Sequence, residues 1–324
     1  MPDALSTSPR AAPATLPLRP PDRGRYARFA WLVLAFNLFV IVWGAFVRAS
    51  GSGAGCGSHW PLCNGAVVPR APQLATLIEF GHRATSGIAL LLVVGLVVGA
   101  WRTYPRRHIV RRGAVWSAFF IVTEALIGAG LVLLEYVADD TRVARGYWVG
   151  GHLLNTFLLV AALASTAWWA SGNGAPRLLG RARLAALLFG GLAGVLLLGV
   201  SGAITALGDT LFPVATLAEG KAMTFSPTAH AFVRLRIWHP TLAVLVGLWL
   251  VAVAGAAVRA NAAPAVRRCA VAMLALYALQ LGVGVANVWL LAPIALQLVH
   301  LLLSDLVWIA LILLTASALS PAPS

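Results

Sequence analysis

Four histidines carry the first chemical signal. His82, His152, His239 and His300 each lie inside a long apolar run, whereas His59, His108 and His230 fall in the polar stretches between runs. One buried imidazole is readily explained as a hydrogen-bonding residue between helices. Four in a repeating arrangement point to ligands, because ionisable groups in apolar surroundings are costly and mark function. Zinc sites generally draw three or four ligands with Cys or carboxylate among them. Two facing imidazoles instead suit axial ligation of a haem iron from either side of the ring. Gly81, Gly150 and Gly151 flank the candidate ligands and are read as leaving room for a flat macrocycle.

Two further features accompany only the first pair of histidines. Glu79 precedes His82 by three residues and so shares its helix face, while the equivalent position before His239 is Arg236. A carboxylate there is a candidate proton acceptor or charge stabiliser, or else an interfacial acid paired with Arg83 or Arg48. Cys56 and Cys63, with six residues between them in a glycine-rich loop, are expected to form a disulfide on the oxidising side of a membrane, either redox-active or a structural staple. Cys269 has no partner in sequence and reads as a small apolar residue. Glu124 and Asp305 are further acids in apolar runs, able to orient a histidine, relay protons or bond across helices. Arg48, Arg83, Arg234 and Arg236 sit near run ends, as solvated residues or as partners for haem propionates.

These residues must be held by membrane helices. Of 324 residues, 60% are hydrophobic and 10% charged, and mean hydropathy is +0.85. That excludes an ordinary soluble domain. Eight spans are expected, at about 29–47, 76–101, 114–134, 148–170, 184–204, 231–257, 269–290 and 294–316. Residues 1–28 are read as a disordered cytoplasmic tail rather than a cleavable signal, 171–183 as a cytoplasmic linker and 317–324 as a second tail. With the N-terminus inside, sixteen of the 24 basic residues fall on the inner side. The positive-inside rule then places both termini in the cytoplasm and the Cys loop outside. Topology thus absorbs most of the +14 net charge, with no nucleic-acid partner.

The halves of the chain echo each other. Gly44 in span 1 matches Gly202 in span 5, His82 matches His239, Gly128-Ala-Gly130 matches Gly282-Val-Gly284, and His152 matches His300, at offsets drifting from 158 to 148. The expected fold is therefore all-α, two pseudo-symmetric four-helix bundles, residues 29–170 and 184–316, related as a parallel repeat.

The chain resembles the haem A synthase family. The resemblance rests on Gly51-Ser-Gly-Ala-Gly-Cys56, Trp60-Pro-Leu-Cys63-Asn-Gly65, Ile78-Glu79-Phe-Gly-His82-Arg83 and the later His152, His239 and His300, and covers residues 29–316. It implies an eight-helix protein of the bacterial plasma membrane that oxidises the C8 methyl of haem O to a formyl group by successive hydroxylations, making haem A for cytochrome oxidase. It further implies a haem b cofactor on His239 and His300, substrate haem near His82 and His152, a catalytic Glu79, and a Cys56–Cys63 disulfide. A haem-O-forming farnesyltransferase is the implied partner, and self-association is open; the electron donor or acceptor is not legible. The sequence departs from some members in lacking a second Cys pair within 205–230 and in its long N-terminal tail. The competing reading is a di-haem b-type electron carrier, which would need matched sites and leaves the one-sided Glu79 and Cys pair without a role. A thiol oxidoreductase would leave the four histidines unused, and a transporter would call for a helix broken at the midplane.

Overall fold

The computed structural model describes residues 23–320. They form α1 (Arg23–Ala49), α2 (Leu74–Thr103), α3 (Ile109–Leu133), α4 (Val143–Ala170), α5 (Ala182–Leu211), α6 (Leu217–Phe225), α7 (Ala231–Arg234), α8 (Trp238–Ala260), α9 (Pro264–Trp289) and α10 (Ile294–Leu319), with no strand among the described residues. Among the described residues, eight spans of 25 to 30 residues are long and apolar enough to cross a membrane, the sixth being Ala231–Ala260. At about 1.5 Å rise per residue they exceed a hydrocarbon core of roughly 30 Å. This is a multi-pass membrane protein.

Helix α1 begins at Arg23, so residues 23–28, expected in the N-terminal tail, are helical. No proline lies between Pro21 and the end of α1, and Tyr26 is buried with its hydroxyl donating to the Leu96 carbonyl at 3.0 Å, which ties this first turn to α2. The rest of the expected N-terminal tail, and residues 321–324, lie outside the described residues. The span bounds otherwise fall within a few residues of expectation, α5 running on to Leu211.

Three local devices shape the ends. His108 caps α3 by accepting the Val110 N–H, which requires a neutral ring; burial pushes its pKa down, and Arg23 and Arg111 reinforce this. Helices α3 and α9 both end in a left-handed residue, Glu135 and Leu291, followed by long-reach bonds from Tyr136 N–H to Leu131 and from Ala292 N–H to Asn287. The sixth span is not one α-helix. Leu235–Ile237 tightens into a 3-10 turn before His239, because Pro240 lacks an N–H and restricts the backbone just ahead of it.

Helix α1 packs on α2 and α4, and α3 on α4 and α2; α5 packs on α8, and α9 on α8 and α10. Contacts of α4 with α5 and α10, and of α1 with α10, join the chain's first four spans to its last four. With little hydrophobic drive between helices in lipid, close fit and hydrogen bonds must hold this seam. The stacked rings of Phe157 and Trp308 lie 5.4 Å apart, and Trp308 Nε1 donates to the Phe157 carbonyl at 2.7 Å. Arg48 of α1 reaches the Ala206 carbonyl, Thr210 Oγ1 and Gln297 Oε1. At the other end, residues 171–181 are tied to the end of α10 through Arg177 N–H to Leu319, Arg181 to Ala318 and Ser320 Oγ to Gly174.

Trp308→Ala is expected to destabilise the protein by about 3 kcal/mol through the void and the lost bond, and Trp308→Phe by about 1 kcal/mol. Thermal unfolding in detergent, followed by circular dichroism, gives the order; equal midpoints for wild type and Trp308→Ala would remove this seam from the account.

Candidate functional site

Each of the four membrane histidines lies six to nine residues from the start of its span, roughly 9–14 Å in at helical rise. The start of these four spans faces the same end of the molecule as the Cys loop, because the spans alternate. A glycine of the preceding long helix lies beside each ring. A Cβ on Gly44 would stand 2.8 Å from His82 Cε1, on Gly202 2.9 Å from His239 Cε1, on Gly284 3.1 Å from His300 Cε1, and on Gly128 3.9 Å from His152 Nε2. Alanine at the first three would displace the imidazole. These glycines were legible only as repeat landmarks.

The glycines expected to make room behave differently. Gly81 is faced by Trp43, whose Nε1 donates to the Ile78 carbonyl, and Gly150 by Val200; at Gly151 alone would a Cβ meet no atom within 4 Å. Larger side chains on neighbouring helices fill the first two spaces, a packing relation that spacing along one helix does not reveal.

The His239 and His300 ring centres are 6.3 Å apart with planes crossed at 81°. Two imidazoles bound through nitrogen, each about 2 Å from a shared metal, would have centres roughly 6 Å apart. His239 Nδ1 pairs with Ser201 Oγ at 3.0 Å, and His300 Nδ1 is buried without a hydrogen bond. His82 and His152 are close enough for their charges to interact, with Glu124 in the same neighbourhood. His82 Nδ1 is also buried and unpartnered. Among the described residues no three of His, Cys, Asp or Glu gather as a metal-ligand group, so the donor sets on offer are histidine pairs.

Cys56 and Cys63 form a disulfide and are fully buried. The loop is docked on α2 by one stripe of residues. Thr76 Oγ1 donates to the Gly55 carbonyl at 2.7 Å; Glu79 Oε2 accepts the Cys56 N–H at 2.8 Å; Arg83 Nη1 donates to the His59 and Leu62 carbonyls, each at 2.7 Å. Gly55 permits this approach, since a Cβ there would lie 2.6 Å from the Thr76 nitrogen. Glu79, 3% exposed, also pairs with Arg83 at 2.6 Å. The pairing with Arg83 is thus present, and it belongs to a network that couples the carboxylate to the disulfide loop.

Residues 27–312 match the sequence pattern of COX15-CtaA, described as "Cytochrome oxidase assembly protein". The chain belongs to that family. It is 49% identical over 302 residues to a Thermus thermophilus protein named protoheme IX farnesyltransferase, covering 93% of this chain and 50% of that one. It is 44% identical over 96 residues to heme A synthase of Shouchella clausii, covering 30% and 32%, and 42% identical over 114 residues to heme A synthase of Staphylococcus epidermidis, covering 34% and 38%. The chain therefore spans about half the length, or less, of these curated relatives. The haem A synthase resemblance drawn from the Cys loop and the Glu79–His82 motif stands.

Within this family member, three of the four arginines considered for propionates are engaged by the protein itself. Arg48 bridges α1 to α5 and α10, Arg83 holds the Cys loop, and Arg236 pairs with Asp209 at 2.8 Å and the Phe212 carbonyl; Arg234 is exposed. Cys269 is a half-buried free thiol. Glu124 lies beside His152, with Oε1 3.1 Å from Nδ1, an arrangement the sequence allowed without pairing the two. Helix α6, absent from the sequence reading, has a legible signal: Thr216 accepts the Glu219 N–H and Glu219 accepts the Ala215 N–H, a capping box variant.

Arg83→Ala is expected to undock the loop and speed reduction of the Cys56–Cys63 bond by dithiothreitol at least about tenfold, since a buried acid loses its partner. Timed alkylation and mass analysis measures it; an unchanged rate would mean that the loop is held without Arg83.

Proposed function

We propose that this chain is a haem A synthase, oxidising the C8 methyl of haem O to a formyl group by successive hydroxylations. The observation that carries this reading is the His239/His300 pair, spaced so that both could hold one iron, set against the His82/His152 pair that alone has Glu79 and the disulfide loop beside it. Family membership and the heme A synthase relatives support it.

The residues fit haem on structural grounds. The His239/His300 separation suits two imidazole nitrogens that would hold one iron, a glycine admits each ring, and buried Nδ1 atoms lack protein partners on His82 and His300. In this reading His239 and His300 would hold a resident haem b, which would supply electron transfer, and His82 and His152 would position haem O as substrate. Glu79 acts as proton acceptor or stabiliser of positive charge near His82. Its carboxylate is oriented by the Cys56 N–H and Arg83, so the disulfide loop fixes the acid. Oriented groups of this kind lower barriers because they need no rearrangement as charge develops.

The two functions are assigned to two four-helix units, residues 29–170 for substrate and 184–316 for haem b. The matching glycine–histidine contacts in both support that division. The protein is assigned to the bacterial plasma membrane, termini inside and Cys loop outside, on the distribution of arginines. A haem-O-forming farnesyltransferase is the proposed partner. A Thermus thermophilus relative named for that activity is about twice as long as the stretch it shares with this chain, which supports the pairing.

Expression in a host that makes haem O but no haem A, followed by chromatography and mass detection of extracted haems, tests the reading. Haem A or a hydroxylated intermediate is expected alongside haem B. Haem B alone, at about two per chain, would overturn it in favour of a di-haem electron carrier. His239→Ala is expected to remove the resident haem b, whereas Glu79→Gln keeps it and stops haem A formation; full haem b in His239→Ala would end the ligand assignment.

A further inference from the structure

The two histidine pairs differ in what stands behind them. On α3, Glu124 lies four residues before Gly128, the glycine beside His152; on α9, Gln280 lies four residues before Gly284, the glycine beside His300. Counted from the histidine-facing glycines, which pair Gly128 with Gly284 and so shift the sequence match of Gly128 to Gly282 by two residues, the two occupy matching positions, one a carboxylate and the other a neutral amide. Glu124 is fixed from α4: Asn155 Nδ2 donates to Oε2 at 2.6 Å, Thr156 Oγ1 donates to Oε1, and Asn155 and Thr156 are both buried. Its Oε1 stands 3.1 Å from His152 Nδ1, within ion-pair distance though not aligned as a hydrogen bond. The positions after His300 that correspond to Asn155 and Thr156 hold Leu303 and Ser304, so the clamp is not repeated. Gln280 Oε1 and His300 Nδ1 are both buried without partners.

Resting on the haem reading above, we infer that Glu124 is a positioning residue for the substrate-side ligand His152, and that the Glu124/Gln280 difference gives the two haem sites unlike ligand strength. A carboxylate on Nδ1 fixes the tautomer, leaves Nε2 for iron and makes the imidazole a stronger donor. A stronger donor favours ferric over ferrous iron. The substrate site is thereby biased toward oxidised iron, while His300, with only an amide at the matching place, is left the weaker donor.

The test uses purified protein carrying its resident haem, with haem O added and followed by absorbance, and with redox titration of the bound haems. Glu124→Gln is expected to weaken haem O binding about tenfold to a hundredfold, to raise the midpoint potential of that haem, and to leave the resident haem unmoved; Glu124→Asp restores part of the affinity. Gln280→Glu is expected to lower the midpoint of the resident haem, which keeps the inference testable if Glu124→Gln fails to fold. His152→Ala separates the levels. Loss of haem O binding in His152→Ala with unchanged affinity and potential in Glu124→Gln overturns the role of Glu124 alone. Undiminished haem O binding in His152→Ala overturns the ligand assignment, and this inference with it.

Discussion

The close approach of an imidazole to a glycine on the neighbouring helix is the contact on which the rest of the structure depends. It is tight at Gly44, Gly202 and Gly284 and looser at Gly128. Helices in lipid associate through fit and hydrogen bonds rather than through release of water, so a side chain as large as histidine can face the interior only where its neighbour has none. Small residues therefore decide where polar rings can be stored at membrane depth. The long spans, the tight seam and the shared depth of the rings all serve that placement.

Around this common frame the charges are distributed unequally. Before His82, the α2 helix carries an acid that reaches back to the Cys56–Cys63 loop; before His239, the corresponding Arg236 reaches across to Asp209 of α5. Neither arrangement leaves a lone charge in apolar surroundings, where an unpaired ion would be expensive. The acid near His82 is thus compatible with burial only because Arg83 and the Cys56 amide accompany it. The groups that solvate this charge are the same ones that hold the Cys56–Cys63 loop on α2.

Much of this was legible in the sequence because the membrane forces long apolar runs and makes every polar residue within them conspicuous. The eight spans, the four histidines and the Cys56–Cys63 pair are signals of that kind. What escaped were relations between helices. That Gly81 lies under Trp43, or that Glu124 of α3 meets His152 of α4, depends on rotation and register that one chain's spacing does not encode. The 3-10 turn before Pro240 and the α6 capping box were local and readable. The helical start at Arg23 was hidden by a proline- and arginine-rich stretch running up to it.

The fastening of residues 171–181 to the end of α10 bears on how the chain is assembled. This stretch is made well before its anchors, Ala318, Leu319 and Ser320, which follow it by more than 130 residues. Arg48 similarly waits for Gln297, and the Phe157 carbonyl for Trp308. The first four spans can insert as they emerge, but their inner face is completed only when the eighth has entered the bilayer. Helix α10 is thus a closing piece, and a chain truncated before it would expose to lipid the surface of α4 that α10 covers.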